Sequence, residues 1–285
     1  MKDSIALLDL EAEHIPLGMQ LKQWANWNQV EADWQLLLAM SKGGSFVAAY
    51  DGKPVGTVVT ISYEEAFCWI GMVLVHPSFR GKGIGTCLLQ VALDYAAPIA
   101  PVLLDATAMG QPLYTSLGFQ SIGEIARLGL SLPFSIPTST NLLIRPMRHN
   151  DLIHLMAYDQ HKAKFNRATV LRDFFQRSPR YAFVAYQNEA LVGYCLGRAG
   201  SRFEHLGPLV ANQQEIAVAL LAHALAAAPQ RPLIMDIPLV HTGWQAYLLQ
   251  QGFSLQRLFT RMCLGDQGQA LDSLHQYAIA GPALG

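Results

Sequence analysis

Charged residues are scarce in this sequence. Only 14% of its 285 residues are Asp, Glu, Lys or Arg, and the formal net charge is -1. Proteins that bind nucleic acid usually present a basic surface, so this balance argues against nucleic acid as a partner. We therefore expect a small neutral or organic substrate.

Long apolar runs and motif-forming cysteines are missing as well. The longest apolar stretch, Ile216 to Ala228, is interrupted by His223 and is shorter than the ~20 residues that cross a membrane. The N-terminal MKDSIALLDLEAEH has acidic residues where a signal peptide needs an apolar segment. The four cysteines form neither a CxxC motif nor a metal-ligand spacing. The sequence predicts a cytoplasmic protein without a membrane partner or a metal.

The pattern of the chain repeats once. FVAAYDGKPVGTVVTI, from Phe46, predicts a strand, a turn and a strand, and FVAYQNEALVGYCLG, from Phe183, predicts the same. LLDATAMGQPLYTSLGF and IMDIPLVHTGWQAYLLQQGF are similar in the same way. Between the copies lies LSLPFSIPTSTN, residues 130–141, which has the composition of a linker. We predict two α/β domains, residues 1–134 and 135–285.

The first copy predicts a mixed sheet with helices on both faces. Strands are expected at residues 5–10, 45–50, 55–63, 67–75 and 101–106, a helix from about Gly83 to Tyr95, and a short helix in QPLYTSLGF. Another helix is expected to start at Asn28, because Glu31 follows at the spacing of a capping box.

VHPSFRGKGIGTCLL, residues 75–89, places glycines and cations where an apolar strand gives way to a helix. A helix N-terminus binds anions through its unpaired N–H groups and partial positive charge. Gly81, Gly83 and Gly85 leave the backbone bare, and Arg80 and Lys82 add charge. The string matches neither GxxxxGK[ST] nor GxGxxG and follows R-x-x-G-x-G instead. We predict a pyrophosphate site here, with tight turn packing as the alternative.

This loop, the preceding strand WIGMVLV and the later LYTSLGF, in that order and separation, resemble the GNAT superfamily of acyl-CoA-dependent N-acetyltransferases. WNQVEADW, LLDAT, FTRM and AIAGPALG are similar to a bacterial subgroup of two-domain GNAT proteins whose second domain is a diverged copy. The resemblance implies tandem GNAT-like domains, each with a central, mostly antiparallel sheet flanked by helices.

The resemblance also implies acetyl-CoA as cosubstrate and an amine of a small molecule or peptide as acceptor. In GNAT proteins the pantetheine arm pairs with the strand that here ends in Val73, Leu74 and Val75, where a backbone N–H polarises the acetyl carbonyl. The cofactor contacts implied at the loop are Arg80, Gly81, Lys82, Gly83, Ile84, Gly85 and Thr86. Thr107 stands where the family usually has an asparagine that contacts the cofactor. Tyr114 matches the tyrosine that serves as general acid.

The reaction also needs a group that removes a proton from the attacking amine. Asp105 is the candidate because it ends a buried strand, at the sheet edge where open α/β folds bind their ligands. Glu64, Glu65 and His76 are alternatives, although their positions are typical of a hairpin tip and a turn. Four residues could line the acceptor pocket or belong to the core: Trp27, Asn28, Trp34 and Trp69.

The second copy differs from the first at the loop. LVANQQEIAVALL is shorter, has no glycine and no cation, and carries Glu215. A diphosphate would lose its amide contacts and be repelled, so we do not expect this copy to hold CoA in the usual way. Four residues near its sheet edge could contact an acceptor or simply pack: Asp236, His241, Trp244 and Tyr247. Two functions stay open, an acetyltransferase and a non-catalytic acyl-CoA-binding or regulatory protein.

Overall fold

The computed structural model describes residues 4–137, 141–266 and 274–285. The predicted linker at residues 130–141 therefore lies partly outside the described residues. In the ranges described, no helix has both the length and the apolar character needed to cross a membrane.

Helices and strands alternate in the same order in both halves of the described chain. The first half contains β1 (Ile5–Asp9), α1 (Ile15–Trp24), α2 (Glu31–Met40), β2 (Phe46–Tyr50), β3 (Lys53–Ser62), β4 (Cys68–Val75), α3 (Ile84–Ala96), β5 (Val102–Ala106), α4 (Gln111–Ser116) and β6 (Gln120–Leu130). The second contains β7 (Leu143–Pro146), α5 (Asp151–Ala163), α6 (Ala168–Arg177), β8 (Phe183–Gln187), β9 (Ala190–Ala199), β10 (Glu204–Ala211), α7 (Gln214–Ala227), β11 (Leu233–Pro238), α8 (Thr242–Gln250), β12 (Ser254–Leu264) and β13 (Gln276–Ala278).

The described strands form one sheet in the order β1-β2-β3-β4-β5-β12-β6-β11-β10-β9-β8-β7, with β13 against β10. Neighbours in this order are antiparallel except at β4–β5 and β10–β11. Helices pack against the strands of both halves, and the predicted fold class is confirmed.

The two halves exchange a strand at the centre of the sheet. β12 of the second half pairs with β5 of the first, and β6 of the first half pairs with β11 of the second. β6 and β12 also pair with each other. Each half therefore completes its sheet with a strand from the other half. The domain boundary between residues 134 and 135 stays a prediction.

A continuous apolar core joins the halves on one face of the sheet. Trp34 and Leu37 of α2 belong to the same buried cluster as Leu155 of α5 and Phe174 of α6. Burying such side chains is the dominant stabilising term in folding, so this cluster holds the halves in one arrangement.

The start of α2 differs from the prediction. The helix begins at Glu31 with Val30 as its N-cap, and the Asp33 side chain accepts a hydrogen bond from the Val30 N–H at 3.0 Å. The predicted cap at Asn28 is therefore wrong. The sequence patterns also missed α1, which precedes it.

Candidate functional site: a cleft between two diverging strands

A cleft opens between β4 and β5 because these parallel strands pair only at their first residues. Cys68–Trp69 pair with Val102–Leu103, and the strands then diverge. A bulge in β4 marks the divergence: its register against β3 shifts, and Met72 has φ 51. The Thr57 hydroxyl donates to the Met72 carbonyl at 2.9 Å and holds the bulge in place. Bulges re-aim a strand in this way next to binding sites.

The glycine loop lies at the outer end of this cleft. Gly81 and Gly83 have φ values of 76 and 79, in the left-handed region that favours glycine, and an added Cβ would meet no atom within 4 Å at either. The first helical bond of α3 runs from the Cys87 N–H to the Gly83 carbonyl at 3.0 Å. The N–H groups of Ile84, Gly85 and Thr86 therefore have no acceptor within the helix. The left-handed backbone conformation, rather than close packing, explains why glycine occupies these two positions.

Both cations of the loop are held in place by neighbouring groups. Arg80 Nε donates to the Val75 carbonyl at 3.2 Å. Lys82 Nζ donates to the Tyr50 hydroxyl at 2.8 Å and lies 4.3 Å from the centre of that ring. Fixed cations beside unpaired amides are the arrangement that phosphate groups favour.

A groove of about 910 Å³ extends from this loop along β4 to α4, a volume in the range of small-molecule sites. It is lined by twelve of the predicted cofactor-site and catalytic residues: Val73, Leu74, Val75, Arg80, Gly81, Gly83, Ile84, Gly85, Thr86, Asp105, Thr107 and Tyr114. Lys82 is not among its lining residues.

Tyr114 lies where the groove reaches α4. Burial raises its pKa to about 12, so the hydroxyl is protonated at neutral pH. This hydroxyl makes no hydrogen bond with any residue in the described ranges, while the ring packs edge-on against Phe119. The Thr107 hydroxyl accepts from the Gly110 N–H at 3.3 Å and so fixes the turn that leads into α4. Tyr114 therefore presents to the groove a protonated hydroxyl without a hydrogen-bond partner in the described ranges.

A second cavity, which we call the inner pocket, continues the groove toward the second half. The two share six lining residues: Trp27, Val73, Asp105, Thr107, Tyr114 and Arg257. Its other walls include Asn28, Arg198 and His205. Of the four predicted pocket residues, Trp27 and Asn28 line the inner pocket, and the fully buried Trp34 and Trp69 belong to the core.

Asn28 joins the two halves beside the inner pocket. Its side-chain oxygen accepts hydrogen bonds from the N–H groups of Arg202 and Phe203 at 3.0 and 2.9 Å, and its Nδ2 donates to the Phe203 carbonyl at 3.0 Å. Because these hydrogen bonds connect the Asn28 side chain to the second half, Asn28 does not cap α2.

The corresponding cleft of the second half is filled by the chain itself. β10 and β11 pair in parallel only over 204–206 and 233–235 and then diverge, as β4 and β5 do. β13 pairs with β10 beyond that point, and the Ile279 N–H donates to the Asp236 carbonyl at 2.9 Å. β10 ends at Ala211 and α7 begins at Gln214, so no room is left for a loop like residues 76–83. The second half therefore lacks both a glycine loop and an open cleft between its diverging strands.

Comparison with known families agrees with this repeat. Residues 41–121 match the acetyltransferase (GNAT) domain, and residues 155–278 match the acetyltransferase (GNAT) domain a second time. Together the two matches cover more than half of the chain. The chain belongs to the GNAT acetyltransferase family.

Two curated relatives and one solved structure match this chain over more than nine-tenths of its length. A holothin acyltransferase from Pseudoalteromonas sp. is 26% identical over 93% of this chain and 90% of its own length. The uncharacterized N-acetyltransferase YitH of Bacillus subtilis is 23% identical over 98% of both chains. A solved structure from Pyrococcus horikoshii has a TM-score of 0.81 and 21% identity, covering 99% of this chain and 96% of that one, which is a likeness in fold. The GNAT domains and these relatives support acyl transfer as the activity.

The predicted edge residues of the second GNAT half are used in packing. Trp244 is fully buried and donates to the Tyr277 carbonyl at 2.8 Å. Tyr247 stacks on Trp244, and His241 stacks on the Tyr277 ring at 4.6 Å. These contacts hold β13 in the second cleft.

The alternative bases of the GNAT reaction lie outside both cavities. Glu64, at the β3–β4 turn, accepts a hydrogen bond from Asn166 Nδ2 at 3.3 Å. His76 accepts from the Ser78 N–H at 3.2 Å and packs against Trp24. Neither Glu64, Glu65 nor His76 is among the residues that line the groove or the inner pocket.

Asp105 lines both cavities but is paired with an arginine from the exchanged strand. Arg261 Nε and Nη2 donate to its two oxygens at 2.8 and 2.9 Å. The second half has the same arrangement, in which Arg127 of β6 donates to Asp236 at 2.7 and 2.8 Å. The pair recurs in the half that lacks the glycine loop, so it serves the strand exchange in both halves. Asp105 as general base stays a prediction.

Replacing Asp105 by Asn separates these two roles. We expect the variant to lose about 3 kcal/mol of stability, because Arg261 would stay buried with only a neutral partner. Asp236→Asn, the matched change in the second half, is expected to have a similar cost. Thermal denaturation and kcat should be measured on both. If Asp105 is also the base, kcat falls about 100-fold in Asp105→Asn and not in Asp236→Asn, and an equal kcat in the two variants would contradict the base assignment.

His205 is a residue of the inner pocket that the sequence patterns missed. It is 1% exposed, its Nδ1 lies 2.6 Å from Arg198 Nη1, and its Nε2 lies 3.0 Å from Asp236 Oδ2. Burial, with the Arg198 charge, lowers its pKa to about 4. The ring is therefore neutral at pH 7, with Nδ1 accepting from Arg198. Nothing in HLGPLV distinguishes this histidine from an ordinary strand residue.

The lowered pKa of His205 predicts a dependence of stability on pH. The ring takes up a proton near pH 6.5 in the unfolded chain and only near pH 4 in the folded one, so its contribution is complete above 6.5 and is lost as pH falls toward 4. We expect a loss of about 2–3 kcal/mol between pH 7.5 and 4.5, measured by chemical denaturation. His205→Gln should show a correspondingly smaller loss, and an equal loss in both proteins would contradict the assignment.

Proposed function

We propose that the chain is an acetyl-CoA-dependent N-acetyltransferase that transfers an acetyl group to a primary amine of a small molecule or peptide. One observation carries the proposal: a continuous cleft has the glycine loop at one end, Tyr114 in the middle and the inner pocket at the other end. A cofactor phosphate, a reacting thioester and an acceptor need these three parts in this order.

The groove residues fit acetyl-CoA. The unpaired N–H groups of Ile84–Thr86 and the guanidinium of Arg80 suit a diphosphate. Beyond Trp69, the edge of β4 that faces β5 has no strand partner in the described part of the chain, so Val73–Val75 can pair with the amides of the pantetheine arm. When bound, the cofactor supplies an acetyl group activated as a thioester.

The chain's own residues then position the reactants and move the protons. The backbone near Val73 is proposed to donate an N–H to the acetyl oxygen, and Tyr114 to donate its proton to the sulfur as the carbon–sulfur bond breaks. Asp105 is proposed to take the proton that the amine loses as the carbon–nitrogen bond forms. The inner pocket holds the acceptor against this point.

The names of the relatives support this proposal at a coarser level. One relative is a holothin acyltransferase and another an N-acetyltransferase. Both fit acyl transfer, and acetyl as the acyl group belongs to our proposal. The cytoplasmic location stays a prediction.

The proposal is tested with the purified full-length chain, acetyl-CoA and a panel of primary amines. Thiol release and acetylated products, identified by mass spectrometry, should appear together with at least one amine. Butyryl-CoA in a parallel series tests whether acetyl is the preferred group. Tight acetyl-CoA binding without product from any amine would favour the alternative, a non-catalytic acyl-CoA-binding or regulatory protein.

A further inference from the structure

Arginine side chains surround the inner pocket. Arg127, Arg198 and Arg257 line it, and Arg261 lies directly behind Asp105. A buried charge is costly unless it has a partner. The charge balance of these arginines therefore bears on what the pocket binds.

Most of these arginines have carboxylate partners. Arg127 pairs with Asp236, and Arg261 pairs with Asp105. Arg198 Nε lies 3.2 Å from Asp33, which is also 3.0 Å from Arg177. Each of the buried guanidinium groups at the pocket thus has a carboxylate beside it.

Arg257 is the exception. It is exposed to solvent and makes no hydrogen bond or ion pair within the described residues, and the centre of the Phe259 ring lies 5.9 Å away. Partial desolvation, with the nearby Arg127 charge, lowers its pKa although Asp236 opposes the shift. Arg257 lies where the groove meets the inner pocket, so a ligand can reach it.

One polar atom of the same pocket has no partner. Gln29 Oε1 is buried and makes no hydrogen bond within the described part of the chain. Arg198 Nε and His205 Nε2, by contrast, lie 3.2 and 3.0 Å from the carboxylates of Asp33 and Asp236. Buried polar atoms are nearly always hydrogen-bonded, so we expect a donor of the ligand to complete the Gln29 oxygen.

We infer that the acceptor is a small amine that also carries a carboxylate, of the amino-acid type. Arg257 binds the carboxylate at the junction of the two cavities, and the Gln29 oxygen accepts an N–H of the acceptor. One cation without a counter-charge matches one negative charge, and a guanidinium binds a carboxylate in a planar, two-bonded pair. The inference rests on the proposed function and specifies its acceptor.

The test compares matched acceptors with and without the charge. The full-length chain is assayed with the L-amino acids, β-alanine and γ-aminobutyrate, each against its carboxamide, with acetyl-CoA as donor. We expect kcat/KM for the preferred acid to exceed that of its carboxamide at least tenfold. Arg257→Gln should raise KM for the acid about 10- to 100-fold and leave the KM of the carboxamide and the acetyl-CoA affinity unchanged. Arg172→Gln, an exposed arginine on α6, is the control and should change neither.

Equal use of acids and carboxamides would overturn the inference. So would loss of acetyl-CoA affinity in Arg257→Gln without a change in acceptor preference, since Arg257 would then be a cofactor contact. Calorimetry with N-acetyl amino acids and their amides, in the presence of CoA, separates this inference from the proposed function. Acid-selective binding without turnover would refute the proposed function and show only that the inner pocket binds carboxylates. Turnover without selectivity would support the proposed function and refute the inference.

Discussion

Aspartate in place of Gly83 is expected to weaken acetyl-CoA binding by about 100-fold or more. The side chain would enter the open space in front of the unpaired N–H groups of Ile84–Thr86 and place a negative charge where we propose the diphosphate. Loss of one or two charge-assisted hydrogen bonds, about 3 kcal/mol, already corresponds to a 100-fold change. Isothermal titration calorimetry of the purified variant measures the effect.

Two control variants separate charge from backbone strain. Gly83→Asn has the same shape without the charge and should bind acetyl-CoA more tightly than Gly83→Asp. Gly252→Asp places an aspartate at φ 86, again with no atom within 4 Å of the added Cβ, at the end of α8 in the second half. It should bear a similar strain and bind acetyl-CoA normally. Unchanged affinity in Gly83→Asp would remove the cofactor from this loop.

Phenylalanine in place of Tyr114 should lower kcat by roughly 10- to 1000-fold, in and somewhat below the range for loss of a positioned proton donor. Only the hydroxyl is removed, and it has no hydrogen-bond partner in the described part of the chain, so stability and acetyl-CoA affinity should change little. Since the pKa of Tyr114 is about 12, the wild-type protein should keep its proton donor to at least about pH 10. Steady-state kinetics from pH 6 to 10 measure both effects.

The matched control is Tyr247→Phe, on the corresponding helix of the second half. Tyr247 is partly buried and its pKa is also raised by burial, but it stacks on Trp244 and does not line the groove. Its loss should leave kcat unchanged. If Tyr114→Phe turned over as fast as the wild type, the proton donor would have to be water or another residue.

Local patterns predicted most elements of the fold. Strand, Asp51-Gly52 turn and strand appear as expected, with Gly52 in the left-handed region at φ 79. The helix after the glycine loop begins at Ile84, one residue from its predicted start. These features depend on neighbours within a few residues, which is the information that a single sequence contains.

Long-range features were not predictable in this way. The exchange of β6 and β12 depends on pairing between strands more than a hundred residues apart. WIGMVLV predicts an even strand, and nothing in it marks Met72 as a bulge. Asn28 has the local pattern of a helix cap, but its side chain is hydrogen-bonded to Arg202 and Phe203 instead.

The candidate site was predictable on the side that the first half supplies. The loop and Tyr114 come from one continuous segment, and the structure brings them to one groove. The inner pocket was not predictable, because Arg198, His205 and Arg257 come from three different strands of the second half. One signal was present in retrospect: LLDA and IMDI repeat an aspartate, and IARL and FTRM repeat its arginine partner.

We propose that each chain has one functional cofactor cleft, since β13 fills the second. Calorimetric titration of the full-length protein with acetyl-CoA tests this most directly. We predict a stoichiometry of one acetyl-CoA per chain, reduced to no measurable binding in Gly83→Asp. Two equivalent acetyl-CoA sites per chain, or one site that survives unchanged in Gly83→Asp, would contradict it.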